Sequence, residues 1–165
     1  MERGAAFSPC RRYRYALWRM WDEERPIVLF VCLNPSAADE ARDDPTVRRC
    51  LGYARAWGFG GLRLANLFAL RATDPAALRR ADDPTGPAND RWIARMAQGA
   101  SRVVLAWGNQ GGERGDAVRA RLPDPHCLRL TRSGQPAHPL YLPASLVPVP
   151  FAPCPRTGGA QRLGG

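Results

Sequence analysis

The run of seven apolar residues at 27–33, with the sequence IVLFVCL, constrains the fold more than any other part of the chain. It is rich in β-branched and bulky residues and lacks the alternation of a strand with one wet face. Such a run predicts a strand that is covered on both faces, as in a parallel sheet flanked by helices. It stops at Asn34-Pro35-Ser36, where the residue types indicate that the chain leaves the sheet.

Strand-like and helix-like segments alternate along the remaining chain. Further strands are predicted at 12–21, 62–70, 102–107 and 127–131, and helices at 46–57, 75–80, 89–100 and 116–122. Asp44 before Pro45 is a plausible N-cap for the first helix. The pattern predicts an α/β fold, namely a three-layer sandwich with a mainly parallel central sheet of about four strands. We expect one domain over residues 1–143 and a mobile Pro/Gly-rich tail over 144–165.

The charge is strongly positive and comes from arginine alone. The chain has 24 basic and 15 acidic side chains, a net charge of +9, and no lysine. Residues 1–21 hold five arginines and one acid, and residues 125–165 hold four arginines and no acid. Arginine can form paired hydrogen bonds with phosphate, so the excess of arginine over acidic residues predicts a nucleic-acid partner. A coding bias that replaces lysine by arginine is the alternative that composition leaves open.

Several classes of protein are excluded or disfavoured. Without lysine, a lysine Schiff base and a P-loop lysine are both impossible, and only the α-amine remains for covalent amine catalysis. We expect no secretory signal and no membrane span, since no apolar run approaches the required length of about 20 residues. The five cysteines contain no C-x-x-C pair, which favours reduced thiols in the cytoplasm over disulfides. We expect no metal and no cofactor; a four-cysteine metal site is the weaker alternative.

Polar and aromatic side chains follow the ends of the predicted strands. Because ligands bind beyond the carboxyl ends of strands in such sheets, we expect these side chains to form a site. Each also has a structural explanation, as a turn residue, a helix cap or a core side chain. The candidates are Asn34, Pro35, Ser36, Asp39 and Asp44 after the first strand, Asn66, Phe68 and Arg71 around the second, Trp107 at the third, and His138 after the fourth.

Four segments resemble a bacterial family known only as a domain of unknown function. They read LNPSAADEARDDPTVRRC, ANLFALRATDP, VVLAWGNQG and GQPAHPLYLP, and the likeness covers residues 7–143. This resemblance implies little about activity.

A weaker likeness connects the chain to the uracil-DNA glycosylase superfamily. The motifs C-L-N-P-S at 32–36, A-N at 65–66, V-V-L-A-W-G at 103–108 and His138-Pro139 occur in that superfamily's order. The resemblance implies that Asn34 holds the attacking water or stabilises the cationic sugar. It implies that Asn66 reads the base and that His138 bonds to the base carbonyl. Cys32 stands where the superfamily has Gly, and Leu140-Tyr141 alters the loop after His-Pro.

The first hypothesis is therefore a monofunctional DNA N-glycosylase that acts on a modified or damaged base by extruding it from the stack. Asp44 and Asp39 are the candidates for a general base, because an amide can only position water. The alternatives are a non-catalytic nucleic-acid or nucleotide-binding module and a hydrolase of small nucleosides or nucleotides. The predicted contacts to the base are Asn66, Phe68, Pro35, Ser36, Trp107 and Arg71, and those to the phosphate backbone are Arg11, Arg12, Arg14 and Arg48.

Overall fold

The computed structural model describes residues 1–152 and builds them around one sheet. Its strands are β1 (Glu2–Phe7), β2 (Arg14–Met20), β3 (Ile27–Cys32), β4 (Gly61–Asn66), β5 (Arg102–Leu105), β6 (Pro125–Cys127) and β7 (Val149–Pro150). Its helices are α1 (Pro45–Ala56), α2 (Ala76–Arg80), α3 (Asn89–Ala97) and α4 (Gly112–Arg121), with a 3-10 turn at Gly108–Gln110.

The sheet has seven strands in the order β1-β2-β4-β3-β5-β6-β7. Neighbours within β4-β3-β5-β6 are parallel, whereas β1 with β2, β2 with β4, and β6 with β7 are antiparallel. The expectation of a mainly parallel sheet of about four strands in a glycosylase-like sandwich is therefore wrong. The sheet is larger and mixed.

The β1–β2 hairpin is the main source of this difference. A short connection, closed by a hydrogen bond from Ser8 N to Tyr13 O at 3.0 Å, forces the two strands to run antiparallel. β1 has few strand-forming residues, and Gly4 is needed there because a Cβ would lie 2.2 Å from the Trp18 ring. A strand without β-branched residues and with a glycine gives little signal in the sequence.

The apolar run does have both faces covered. Val28 and Phe30 belong to a core packed against α1, whereas Leu29 and Val31 belong to a second core that includes α3 and α4. All four side chains are fully buried. Successive strand residues point to opposite faces, so an unbroken apolar run serves both cores at once.

The second parallel strand is shorter than its apolar pattern predicts. β4 ends at Asn66: Leu67 N still donates to Cys32 O of β3 at 2.9 Å, but Ala69 N donates to Thr85 O, outside the sheet, at 3.0 Å. Asn66 pairs with Cys32 in the parallel register. The two strands therefore end side by side, and Asn34 and Asn66 emerge at the same edge.

The segment 33–44 between β3 and α1 is held against β2 by Arg19. This side chain is fully buried, and its Nε lies 3.0 Å from Asp43 Oδ1. Its Nη2 donates to the carbonyls of Asp39 at 2.7 Å and Arg42 at 3.3 Å. One guanidinium thus satisfies several acceptors of a loop that has no secondary structure of its own.

Helix α1 begins where the sequence predicts. Asp44 has extended backbone angles, and its Oδ1 accepts a hydrogen bond from Val47 N at 2.9 Å, with Pro45 in the first turn. The predicted N-cap is confirmed.

The boundary predicted at residue 143 falls inside the packed domain. Trp57 Nε1 donates to Leu146 O at 2.9 Å, β7 pairs with β6, and Phe151 is buried in the core. Leu146 and Phe151 thus pack against the core, whereas Val147 and Val149 are exposed. The rest of the predicted tail, 153–165, lies outside the described residues.

Replacing Arg19 by methionine should destabilise the fold by about 3 kcal/mol, because it leaves Asp43 and the loop carbonyls without their buried cation. Urea unfolding followed by tryptophan fluorescence measures this change. Arg25→Met is the matched control, because Arg25 is 59% exposed and, within residues 1–152, forms an ion pair with Asp22 alone. It should change stability by less than about 0.5 kcal/mol. Equal unfolding midpoints for the two variants would contradict the assigned role of Arg19.

Candidate functional site

A narrow polar cleft lies at the carboxyl ends of β3 and β4. Six of the candidate side chains from the sequence line it together, although they come from four separate segments. They are Asn34, Pro35, Ser36, Asp44, Asn66 and His138, and they are joined by Arg14, Cys32, Thr46, Val47 and Leu64. This cleft is the candidate functional site.

Asn34 presents an acceptor to the cleft. Its Nδ2 donates to Ala72 O at 2.8 Å and to Pro35 O at 3.0 Å. Both amide protons are thereby used, and Oδ1 is the group left for a ligand. Asn34 can therefore accept a hydrogen bond from a water molecule or a hydroxyl group but cannot donate one.

Asn66 presents the opposite group. It is 2% exposed, and its Oδ1 accepts a hydrogen bond from Arg14 Nη2 at 3.3 Å. The amide NH2 is then the part of the side chain that remains for a ligand in the cleft. Asn34 and Asn66 thus have complementary roles that their identical side chains do not reveal in the sequence.

Arg14 is the residue that the structure relocates. The sequence suggested a surface contact with phosphate, but Arg14 is 3% exposed and lines the cleft. Burial lowers its pKa to about 10, so it stays cationic at neutral pH. Its Nη1 donates to Ala38 O at 3.1 Å, whereas its buried Nε–H has no partner among residues 1–152. An unpaired buried donor is costly, so the structure tolerates an uncompensated polar group beside the cleft.

Asp44 faces the cleft from the start of α1. Oδ1 caps the helix, and Oδ2 accepts a hydrogen bond from Ala38 N at 3.3 Å. Each carboxylate oxygen retains a further lone pair, so the group can still accept from a ligand. Its negative charge acts on both Arg14 and His138 and raises the pKa of each, against the lowering effect of burial.

His138 is held in one tautomer. Its Nδ1 accepts a hydrogen bond from Leu140 N at 3.2 Å, so the proton of the neutral ring is on Nε2. Burial lowers the pKa of His138, and the nearby Asp44 carboxylate opposes that shift only in part. At neutral pH the ring is therefore an uncharged donor.

The cleft is small as it stands, with a cavity volume of about 30 Å³. A water molecule needs roughly 10–15 Å³ on this measure, so one or two waters fit and a nucleobase does not. His138 lies on the segment 132–148, which contains no helix or paired strand. Entry of a larger ligand requires the walls of the cleft to move apart.

Three of the predicted residues lie elsewhere for clear reasons. Trp107 is 3% exposed and packs in the core with the partly buried Phe68, so neither can stack on a base in the cleft. Asp39 Oδ1 accepts from the N–H groups of Ala41 and Arg42, which lowers its pKa and makes it a turn residue.

The remaining predicted arginines are outside the cleft. Arg48 is exposed on α1, where its Nη1 donates to Asp43 O at 3.1 Å. Arg11, Arg12 and Arg71 line a separate surface groove. That groove is adjacent to the cleft, since Arg71 Nε lies 3.5 Å from Ser36 O.

Four cleft residues were not assigned to the site from the sequence, namely Cys32, Thr46, Val47 and Leu64. Thr46 looks like an ordinary first-turn helix residue, and Cys32 looks like a small core residue. For Arg14, which the sequence analysis assigned to the phosphate backbone, a signal did exist, because a charged residue within a predicted strand must find partners if it is buried.

The family model described as "Protein of unknown function (DUF1643)" matches residues 14–140. The chain belongs to this family. The matched segment of this DUF1643 protein runs from Arg14 past His138 and so contains every residue that lines the cleft. No curated protein and no solved structure matches the chain significantly.

Two further properties hold for residues 1–152 of this DUF1643 protein. None of the helices there has the length and apolar character needed to cross a membrane. The same residues contain no group of three or more His, Cys, Asp or Glu side chains placed to hold a metal ion.

The lowered pKa of His138 predicts a pH-dependent loss of stability. The unfolded chain binds a proton near the usual histidine pKa of about 6.5, whereas the folded chain resists protonation until lower pH. Stability should therefore fall as the pH drops below about 6.5 and through the folded-state value. Thermal melting between about pH 5 and 8 measures this dependence.

His138→Asn is the comparison variant, because an amide oxygen can still accept from Leu140 N but does not titrate. The stability of the wild type relative to the variant should therefore fall as the pH falls, because only the wild type loses this contribution. A difference that is constant over this range would show that His138 is not held neutral by its surroundings.

Proposed function

We propose that this protein is a monofunctional DNA N-glycosylase that removes a modified or damaged base by hydrolysis. The observation that carries the proposal is the meeting of Asn34, Asn66 and His138 in one cleft, with an acceptor on one side and donors on the other. Cleavage of an N-glycosidic bond needs both, since the sugar becomes electron-poor while the departing base gathers negative charge. The cleft residues match these two requirements.

His138 is the donor assigned to the leaving base. With Nδ1 occupied by Leu140 N, its Nε2–H is the group that can bond to a base carbonyl. A neutral donor is preorganised and needs no change of charge as the bond breaks. The lowered pKa of His138 keeps the ring in this form at neutral pH.

Asn66 and Arg14 are assigned to recognition of the base. The NH2 of Asn66 and the unpaired Nε–H of Arg14 are both donors, so they favour a base with carbonyl oxygens or acceptor nitrogens. The buried guanidinium also lowers the energy of a negative charge in the cleft. This arrangement favours a base that leaves as an anion.

Asn34 and Asp44 are assigned to the water and the sugar. Asn34 Oδ1 accepts from a water molecule and so fixes its orientation. The Asp44 carboxylate stabilises positive charge on the sugar and is the base available to take the proton of the attacking water. The cleft has room for that water already.

The absence of lysine determines the product. Strand cleavage by β-elimination proceeds through an amine Schiff base, and the one amine in this sequence, the α-amine of Met1, is not among the residues that line the cleft. The proposed reaction therefore ends at an abasic site in an intact strand.

A panel of single- and double-stranded oligonucleotides with uracil, hydroxymethylated, glucosylated or deaza bases tests the proposal. We expect base release by mass spectrometry, and strand breaks only after alkaline treatment. Asn34→Ala and His138→Ala should each lower the rate by about 100-fold. Asn109→Ala is the control, because Asn109 bonds to Thr131 outside the cleft and should retain full activity.

The small volume of the closed cleft favours a second candidate, a non-catalytic nucleic-acid-binding module. The same assay separates the two. Binding of the panel without release of any base would reject the glycosylase in favour of the module. Turnover of free nucleosides that exceeds turnover of oligonucleotides would reject both.

A further inference from the structure

A second surface feature lies next to the cleft and is defined by four arginines. Arg11, Arg12, Arg71 and Arg80 line an open groove of about 480 Å³, and Leu70, Ala77 and Ala81 complete it. The four come from three places in the chain, namely the β1–β2 turn, the segment after β4, and helix α2. We call this feature the arginine groove.

The positive charge of the arginine groove is largely unneutralised. Arg11 Nη2 lies 3.2 Å from Glu40 Oε1, and both side chains are about half exposed, so the pair is weak. Within residues 1–152, no ion pair is formed by Arg12, Arg71 or Arg80. Four cations gathered around one groove with a single paired carboxylate create a site for more than one negative charge.

Two of the guanidinium groups are held in place before any ligand arrives. Arg11 and Arg71 lie over the Phe7 ring, at 3.9 Å and 5.0 Å from its centroid. Arg71 also bonds through Nη1 to Arg11 O at 3.4 Å and through Nε to Ser36 O at 3.5 Å. Side chains fixed in this way lose little conformational entropy on binding. Arg12 and Arg80 are exposed and free to close on a ligand.

The arginine groove and the cleft share a wall. Asn34 Nδ2 bonds to Ala72 O at 2.8 Å on the cleft side, and Ala72 N bonds to Pro35 O at 3.0 Å. The adjacent Arg71 N bonds to Arg12 O at 2.9 Å on the groove side. A ligand that occupies both the cleft and the arginine groove therefore has to pass over only the segments 34–36 and 70–72.

We propose that the arginine groove binds successive phosphates of a polynucleotide strand whose target base enters the cleft. The identification of that strand as the substrate rests on the proposed function, whereas the binding itself does not require base release. Planar guanidinium groups form paired hydrogen bonds with phosphate oxygens. A charge balance of four arginines and one carboxylate suits several phosphodiesters, each with one negative charge, better than one isolated phosphate.

Fluorescence polarisation with a labelled single-stranded DNA of about 12 nucleotides tests this proposal, with sodium chloride varied from about 50 to 300 mM. The test variant is Arg12→Gln with Arg80→Gln, because these exposed side chains make no side-chain hydrogen bond or ion pair within residues 1–152. The matched control is Arg55→Gln with Arg91→Gln, which removes the same charge from α1 and α3. Equal melting temperatures confirm that all three proteins are folded.

Loss of two phosphate contacts should reduce the slope of log affinity against log salt by about 1.4, since each contact to a single strand contributes about 0.7. The control should keep the wild-type slope. An equal decrease in both variants would assign the binding to net charge and overturn the proposal. So would tight binding of a nucleoside monophosphate or inorganic phosphate that competes with the strand on an equal molar basis.

The proposal and the proposed function can fail separately. His138→Ala lies outside both the groove and the shared wall, so it should keep the wild-type salt slope while it lowers base release about 100-fold. Groove-dependent binding without base release from any substrate would leave the arginine groove standing and reject the glycosylase. Conversely, the double variant Arg12→Gln with Arg80→Gln could release the base at the wild-type rate and keep the wild-type salt slope. That result would reject the arginine groove as a phosphate site but would not contradict the glycosylase.

Discussion

The buried guanidinium of Arg19 is the interaction on which the site depends. It joins β2 to the segment that follows β3, through Asp43 and the carbonyls of Asp39 and Arg42. That segment has no regular structure, yet it carries Asn34 at one end and the helix cap Asp44 at the other. A buried charge is tolerated only when it is fully paired, so the loop is fixed by the same requirement that fixes Arg19. The cleft inherits its geometry from this pairing.

The cleft contains buried ionisable groups, each of which would be unfavourable in the protein interior without the others. Arg14 stays cationic despite burial, Asp44 provides the opposite charge, and His138 stays neutral because burial lowers its pKa. Donors and acceptors are then divided between its walls, with Asn34 accepting and Asn66 donating. The unpaired Nε–H of Arg14 remains as a cost within the free protein. A site that is completed by its ligand in this way gains specificity for an acceptor of the right shape.

Under the proposed function, the cleft and the arginine groove would divide recognition of the strand between them. Exposed arginines attract a polyanion at long range and without sequence preference, which favours encounter with a strand. The closed cleft of about 30 Å³ would then admit only what can move its walls apart. Backbone contacts would thus supply the affinity, and opening of the cleft would supply the selection. The two features share the segments at 34–36 and 70–72, which are joined by hydrogen bonds.

The sequence by itself determined the buried central strand, the cap at Asp44 and the set Asn34, Asn66 and His138 that meets in the cleft. These follow from local signals: an unbroken apolar run, an Asp-Pro pair, and polar residues placed where strands end. Tertiary structure alone decided the seven-stranded mixed sheet, because apolar periodicity records which side chains are buried and not the direction in which a strand pairs. The tertiary structure also buries Arg14 and packs Phe68 and Trp107 against the core. It places Arg80 in the same groove as Arg11 and Arg12. Such outcomes depend on contacts between residues far apart in the chain, which no local pattern encodes.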